Sequence, residues 1–321
     1  MSDARRGLRG PALVVVPVIL FVVVFIGARM IGGGTPGNPF VDRPPLAVSD
    51  TAAAGAAASA SGDDRGLLER LSKVPQGAWL TPEAFPIGKV GERVSTVAAQ
   101  ADAEGRTPVF VVYGITDRDC SGGESSGGLP ADQYPVWVAE IAAALDANDA
   151  VVVEPDALAT AAECNQGEQR TSLLRDAVKQ LAGRDATVYL DAGHASWTDP
   201  KVMAGLLKDA GVDEARGFST NVSGYESDAD ERAYAEAIST ALGGAHYVTD
   251  TGRNGAGSNG EWCNPAGRAL GREPAASSDG ALDAYLWIKP PGESDGTCGG
   301  GPPAGEFWTQ RAVEMARAAG W

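Results

Sequence analysis

Residues 150–159 read AVVVEPDALA. An apolar, β-branched run with no polar alternation describes a strand buried on both faces, as in a parallel sheet. The run stops abruptly at Glu154-Pro155-Asp156, which puts two carboxylates at the C-terminal end of the strand. Taken alone, Asp156 reads as the N-cap of a following helix, because Asp is a favoured capping residue. The surrounding chain supplies the competing reading.

Similar apolar runs occupy residues 108–115, 187–193, 215–223, 246–251 and 284–292. Between and around them, apolar residues at helical spacing predict helices over 67–74, 89–104, 134–148, 171–184, 200–211, 229–242 and 306–319. Strand alternating with helix is the signature of βα units on a parallel sheet. Six units in one stretch predict an α/β fold, a TIM-like parallel βα barrel that is distorted or incompletely closed. No GxGxxG fingerprint follows the first run, so a dinucleotide fold lacks support. Each run ends in polar chemistry: Asp119; Glu154 and Asp156; Asp191 and His194; Asn221; Asp250 and Arg253; Lys289, Glu293 and Asp295. In a parallel barrel these ends converge on one face, where active sites are built. Capping explains any one of them, but hardly six together.

Composition narrows the chemistry. Twenty-six Lys and Arg against 42 Asp and Glu give a net charge of −16 over 321 residues. Phosphate contacts need clustered cations, so no nucleic-acid partner is expected. Two histidines and four cysteines, without HExxH or CxxC pairing, predict no His- or thiolate-held metal and no cofactor. Arg5, Arg6 and Arg9 precede an apolar run over residues 12–28, short for a membrane span and long for a signal core. Residues 1–35 are therefore expected to be a cytoplasmic stub with either a retained membrane anchor or a cleaved signal segment. Residues 36–321 would form one extracytoplasmic catalytic domain, a compartment in which four cysteines can pair. Residues 31–66, rich in Gly, Ala and Ser, read either as a flexible linker or, over Ala53–Ala60, as a helix of small residues.

A face carrying Asp119, Asp156, Asp191 and Asp295 suits either a hard cation or glycoside hydrolysis. No DxDxDG loop is present to support the cation. In glycoside hydrolysis one carboxylic acid protonates the leaving oxygen while a second carboxylate handles water or sugar. Crowded carboxylates raise the pKa of one of them, which keeps it protonated near neutrality. Trp79, Trp197 and Trp262 are candidates for stacking on sugar rings, whereas Trp137 and Trp287, inside apolar patterns, read as core.

The blocks YGITDRDC, VVVEPDALA, VYLDAGHASW, GFSTNVSGY, DTGRNGAGSNGEWCNPAGRALG and AYLWIKPPGESDGTC resemble, in order and spacing, those of glycoside hydrolase family 6, the inverting cellulases. The resemblance runs from about residue 38 to the C-terminus and implies an endo-1,4-β-glucanase. It implies Asp156 as general acid, Asp119 as its assistant and Asp295 as the candidate base, acting directly or through waters linked to Asp119. It implies that Tyr113 presses on the sugar at the cleavage point. Asp191, His194, Asn221, Lys289 and Glu293 would hold hydroxyls and carboxylates. Trp79 and Trp262 would stack on one side of the cut and Trp197 on the other. It implies disulfides Cys120–Cys164 and Cys263–Cys298, and makes the alanine-rich stretch an early helix of the catalytic domain. Where the family has Pro-Gly before RDC, this chain has Thr116-Asp117, and Asp117 is expected to face solvent. The glycine-rich Ser121–Gly128 reads as either a lid that brings Ser125 or Ser126 to the site or an ordinary exposed loop. The compact length, without long insertions, predicts an open groove and endo cleavage. The expected partner is a β-1,4-linked glucan or a cello-oligosaccharide, with the enzyme a monomer held at the membrane by its N-terminal segment. The alternatives are the same chemistry on another β-glucan or on the organism's own envelope polymer, and a non-catalytic carbohydrate binder on this scaffold.

Overall fold

The computed structural model describes Met1 and residues 37–120, 123–161 and 163–321. The apolar run 12–28 and its expected anchor or signal role lie outside the described residues, as do Ser121 and Gly122. Among the described residues no helix is long and apolar enough to cross a membrane.

Eight strands form one sheet: β1 (Ala78–Leu80), β2 (Val109–Val112), β3 (Ala150–Val153), β4 (Thr187–Asp191), β5 (Gly217–Thr220), β6 (His246–Asp250), β7 (Ala275–Ala276) and β8 (Leu282–Leu286). They are ordered β1-β2-β3-β4-β5-β6-β8-β7, and every ladder is parallel except the short β7–β8 pair. Alternate residues divide the strands between two cores. Val109, Val111, Ala150, Val152, Tyr189, Val248, Ala284 and Leu286 pack together inside the curl. Phe110, Val112, Val151, Val153, Val188, Leu190 and Phe218 face the surrounding helices. Those helices include α4 (Val90–Glu104), α5 (Tyr134–Ala144), α6 (Gly167–Ala182), α7 (Pro200–Asp209) and α8 (Asp228–Ala241).

The sheet curls into a distorted barrel whose ends do not form a ladder. β1 and β8 are joined at this seam by the Gly77 N–H donating to Trp287 O at 2.8 Å and by the Trp79 indole N–H donating to Ile288 O at 2.8 Å. Gly77 is required there, because a Cβ would lie 2.3 Å from Ile288 O. The sequence pattern missed β1 and β7, whose three and two residues are too short to show alternation.

The linker reading of residues 31–66 is overturned for its described part. Asn38 caps α1 (Pro39–Asp42), Thr51 caps α2 (Ala52–Ser59), and α3 (Gly62–Leu71) follows. Ala53 and Ala57 are buried against Leu68, Leu71 and the C-terminal helix α9 (Thr309–Ala318). Small side chains here permit close helix packing, which composition alone does not distinguish from flexibility. α5 ends earlier than its periodicity predicts, because Asp146 and Asp149 draw the backbone into side-chain-capped turns.

Candidate active site

The C-terminal strand ends gather the predicted carboxylates. Asp191, the last residue of β4, is buried, and its Oδ2 accepts the N–H groups of Asp156 at 3.0 Å and Gly193 at 2.9 Å. Its Oδ1 accepts the Ser219 hydroxyl at 3.1 Å. Three donors favour the charged form and partly oppose burial, leaving Asp191 raised to about 7. The Asp156 carboxyl accepts no hydrogen bond among the described residues. Burial first, then the negative charges of Asp191 and Asp119, push its pKa well above the carboxylate range. Of this coupled pair, Asp191 is built to hold charge and Asp156 to hold a proton. The helix-cap reading of Asp156 fails: its residue has φ 71° and lies in a turn after β3, with α6 starting only at Gly167.

Asp119 follows β2 with φ 52°, and its Oδ2 accepts the Ser125 N–H at 2.9 Å. Positive φ at Asp119, Asp156, Asn221 and Asn264 concentrates backbone strain on this face, a common mark of functional sites. Because the Asp119 charge raises the pKa of Asp156, Asp119→Asn removes that contribution. Asp156 then loses its proton at lower pH. The alkaline limb of the rate profile is expected to shift downward, which a pH–kcat/KM series measures; an unmoved limb would separate the two residues electrostatically.

Asp295 is arranged oppositely. Its Oδ1 pairs with Arg253 at 2.7 Å, and its Oδ2 accepts the Tyr225 hydroxyl and the Asn264 N–H, both at 3.0 Å. Burial raises its pKa, but Arg253, Lys289 and the Asn264 N–H more than offset this and hold it below the usual range.

Trp79 stands edge-on to Tyr113, with ring centroids 5.1 Å apart, and Lys289 Nζ lies 5.0 Å from its ring. Lys289 Nζ also lies 3.5 Å from Glu293, and its backbone N–H donates to Asp250 at 2.9 Å. Burial raises the Glu293 pKa against the opposing charge of Lys289. His194 and Trp197 pair at 5.2 Å on another part of the face. Burial lowers the His194 pKa, so the ring is neutral at pH 7. Trp262 is 65% exposed, which leaves its face available to a ligand. Trp137 and Trp287 are buried, with indole N–H groups bound to Phe85 O and Arg272 O.

Asn221 is the exception among the predicted binding residues. It is fully buried, and its carboxamide is spent on the backbone of Glu226 and Asp250, so it folds the turn after β5 behind the cleft surface. Glu154 is also buried and binds the Gly114 and Ile115 N–H groups, shaping the backbone beyond β2. Asp117 is exposed, as expected, and accepts a hydrogen bond from Gln166. Both disulfides, Cys120–Cys164 and Cys263–Cys298, are formed. The first ties the loop after β2 to the segment after β3, and so fixes Asp119 relative to Asp156.

Tyr225, Asn264 and Glu231 were not legible as site residues, and Arg253 was visible only as a strand-end residue. A strand-end arginine facing a surplus of carboxylates was the available signal for the Arg253–Asp295 pair. Glu231 is buried and accepts the Ala195 N–H at 2.7 Å. In sequence it is indistinguishable from its exposed first-turn neighbours on α8.

Residues 39–319 match the profile of Glycosyl hydrolases family 6. Endoglucanase A from Cellulomonas fimi is 47% identical over 264 residues, 82% of this chain and 58% of that protein. Endoglucanase 1 from Streptomyces halstedii is 38% identical over 281 residues, 83% of this chain and 86% of the relative. The solved structure of the endoglucanase Cel6 from Mycobacterium tuberculosis, in complex with a thio-linked methyl-cellobiosyl cellobioside, superimposes with a TM-score of 0.84. It is 43% identical and covers 89% of this chain and all of that one.

Proposed function

Because the chain belongs to glycosyl hydrolase family 6, we propose that it hydrolyses internal β-1,4-glucosidic bonds of cellulose or a related β-glucan, with inversion at the anomeric carbon. The observation that carries the reading is the contrast between Asp156 and its neighbours. Asp156 is a carboxyl without hydrogen bonds among the described residues, raised by burial and by two adjacent carboxylates. Asp191, beside it, is satisfied by three donors.

In this reading a glucan chain lies across the strand ends, on Trp79 and Trp262 to one side of the cut and on Trp197 to the other. Lys289, Glu293 and His194 face its hydroxyls. Tyr113 borders the ring at the cleavage point. Asp156 donates its proton to the glycosidic oxygen as the C–O bond breaks, which relieves the developing charge on the leaving group. Asp119 keeps Asp156 protonated until then. A water attacks the opposite face of the sugar, assisted by Asp295 or by waters linked to Asp119. The low basicity of Asp295 in its ion pair with Arg253 favours the water-linked route. In this reading the chemistry takes place outside the cytoplasm, with the apolar run at residues 12–28 serving as anchor or export signal.

The test is the anomer released. Cellopentaose hydrolysis followed by NMR should yield the α-anomer first, because a single displacement inverts a β-linkage. β-anomer in the initial product would exclude inversion, and no cleavage across a β-glucan panel would exclude the activity.

A further inference from the structure

Arg170 stands one turn into α6 and is only 1% exposed, yet its planar head reaches both turns that carry the carboxylates of the site. Nη2 donates to Asp117 O at 2.7 Å, two residues before Asp119. Nη1 donates to Ala157 O at 3.0 Å, directly after Asp156, and to Thr160 Oγ1 at 2.6 Å. The Thr160 hydroxyl in turn donates to Asp156 O at 2.8 Å, which relays the contact onto the backbone of Asp156 itself. Nε donates to Gln166 Oε1 at 3.2 Å, and the Gln166 amide donates to the Asp117 carboxylate at 2.9 Å, closing a ring.

None of these acceptors of the guanidinium is a carboxylate. A buried cation ordinarily meets an anion, because desolvation is costly. Burial lowers the Arg170 pKa and the charges of Glu154, Asp117 and Asp119 oppose that, so the group stays charged. Its donors go instead to the backbone of two turns whose conformation is unusual. Asp117, Asp119 and Asp156 have φ of 52°, 52° and 71°. Side chains other than glycine keep such backbone only where the surroundings fix it. Asp119 is held on both sides in sequence, by Arg170 at Asp117 and by the disulfide at Cys120.

We propose that Arg170 is a positioning residue whose fork fixes the Asp156 turn against the Asp119 loop, so that the proton donor meets the glycosidic oxygen in register; this rests on the general-acid reading of Asp156. Lysine cannot replace it. An ammonium is a single point of charge, whereas the guanidinium plane sends donors to three separate segments. Asp117, though exposed, belongs to the same ring through both its carbonyl and its carboxylate.

The experiment compares wild type, Arg170→Lys and Thr160→Val. The second variant removes only the relay hydroxyl and decides the matter if the first fails to fold. kcat and KM are measured on cellopentaose and on an aryl cellotrioside with an acidic phenol as leaving group. Arg170→Lys should lower kcat on cellopentaose about ten- to hundredfold with KM nearly level, as expected when a reacting group is misplaced by about 1 Å. Thr160→Val should lower it about three- to tenfold, the effect of one hydrogen bond. Both variants should lose less than about threefold on the aryl substrate, which needs little protonation. Equal losses on the two substrates, a change confined to KM, or full activity in Arg170→Lys would overturn the positioning role. Hydrogen exchange of the Thr160 amide, bound to Asp156 O at 3.0 Å, needs no substrate. It should speed about tenfold in Arg170→Lys while the Ala192 amide, bound to Ser219 O, stays level. Acceleration of both amides, or of neither, would also overturn the proposal. If the wild type cleaves neither substrate, the hydrolase reading falls and the positioning role with it, while the Thr160 amide still tells whether Arg170 holds the turn.

Discussion

Asp156→Asn is expected to lower kcat on carboxymethyl-cellulose by about 10²- to 10⁴-fold, the usual contribution of a positioned general acid. Asn keeps the shape and tolerates the positive φ of this position, so the change isolates the proton. The fold should be unaffected, because no group among the described residues relies on the Asp156 carboxyl as its acceptor. An aryl cellotrioside with an acidic phenol as leaving group needs little protonation and should lose much less activity. Turnover near wild type on the polymer, or equal losses on both substrates, would remove Asp156 from the acid role.

Arg253→Met carries the largest expected effect on stability. Arg253 and Asp295 are both buried and are paired at 2.7 Å. Arg253 also reaches Ser223 O and lies over the Tyr225 ring. Removing one partner of a buried ion pair leaves an uncompensated charge, at a cost of about 3–5 kcal/mol. Lys289 still faces Asp295, which places the loss toward the lower end. The sign with pH follows from the pKa. In the wild type the Asp295 pKa is depressed, so the pair stabilises the fold above the ordinary carboxylate pKa and that stability is lost as pH falls. In the variant Asp295 is buried without its strongest cation, and its pKa rises. The variant should therefore regain stability relative to wild type as pH is lowered. Thermal unfolding from pH 4 to 8 reads this directly. Adding Asp295→Leu should recover most of the loss; no recovery would mean that Arg253 acts through packing alone.

The barrel was legible because parallel strands buried on both faces leave uninterrupted apolar runs, as in AVVVEPDALA and PVFVVYGI. The carboxylates that gather at the candidate site were legible because those runs end in them. The structure reassigned residues where the sequence pattern is silent. Asn221 stood at a strand end like a ligand-binding residue, yet its carboxamide is consumed by the turn it folds. Charge alone could not separate Asp156 from Asp191. Their difference lies in which carboxylate meets backbone N–H groups, and those groups are positioned by β4 and the turn after β3. Alanine-rich α2 looked like a linker because tight helix packing and flexibility select the same small residues.

In the proposed reading, the seam between β1 and β8 ties substrate and scaffold into one linkage. The Trp79 indole N–H that stitches the barrel ends together belongs to the ring on which a sugar would stack. A ligand that orders this ring also favours the joined seam, and by reciprocity a parted seam takes the platform away. Occupancy of the cleft and integrity of the barrel thus rise and fall together, so saturating substrate should protect this enzyme most where its sheet is least continuous.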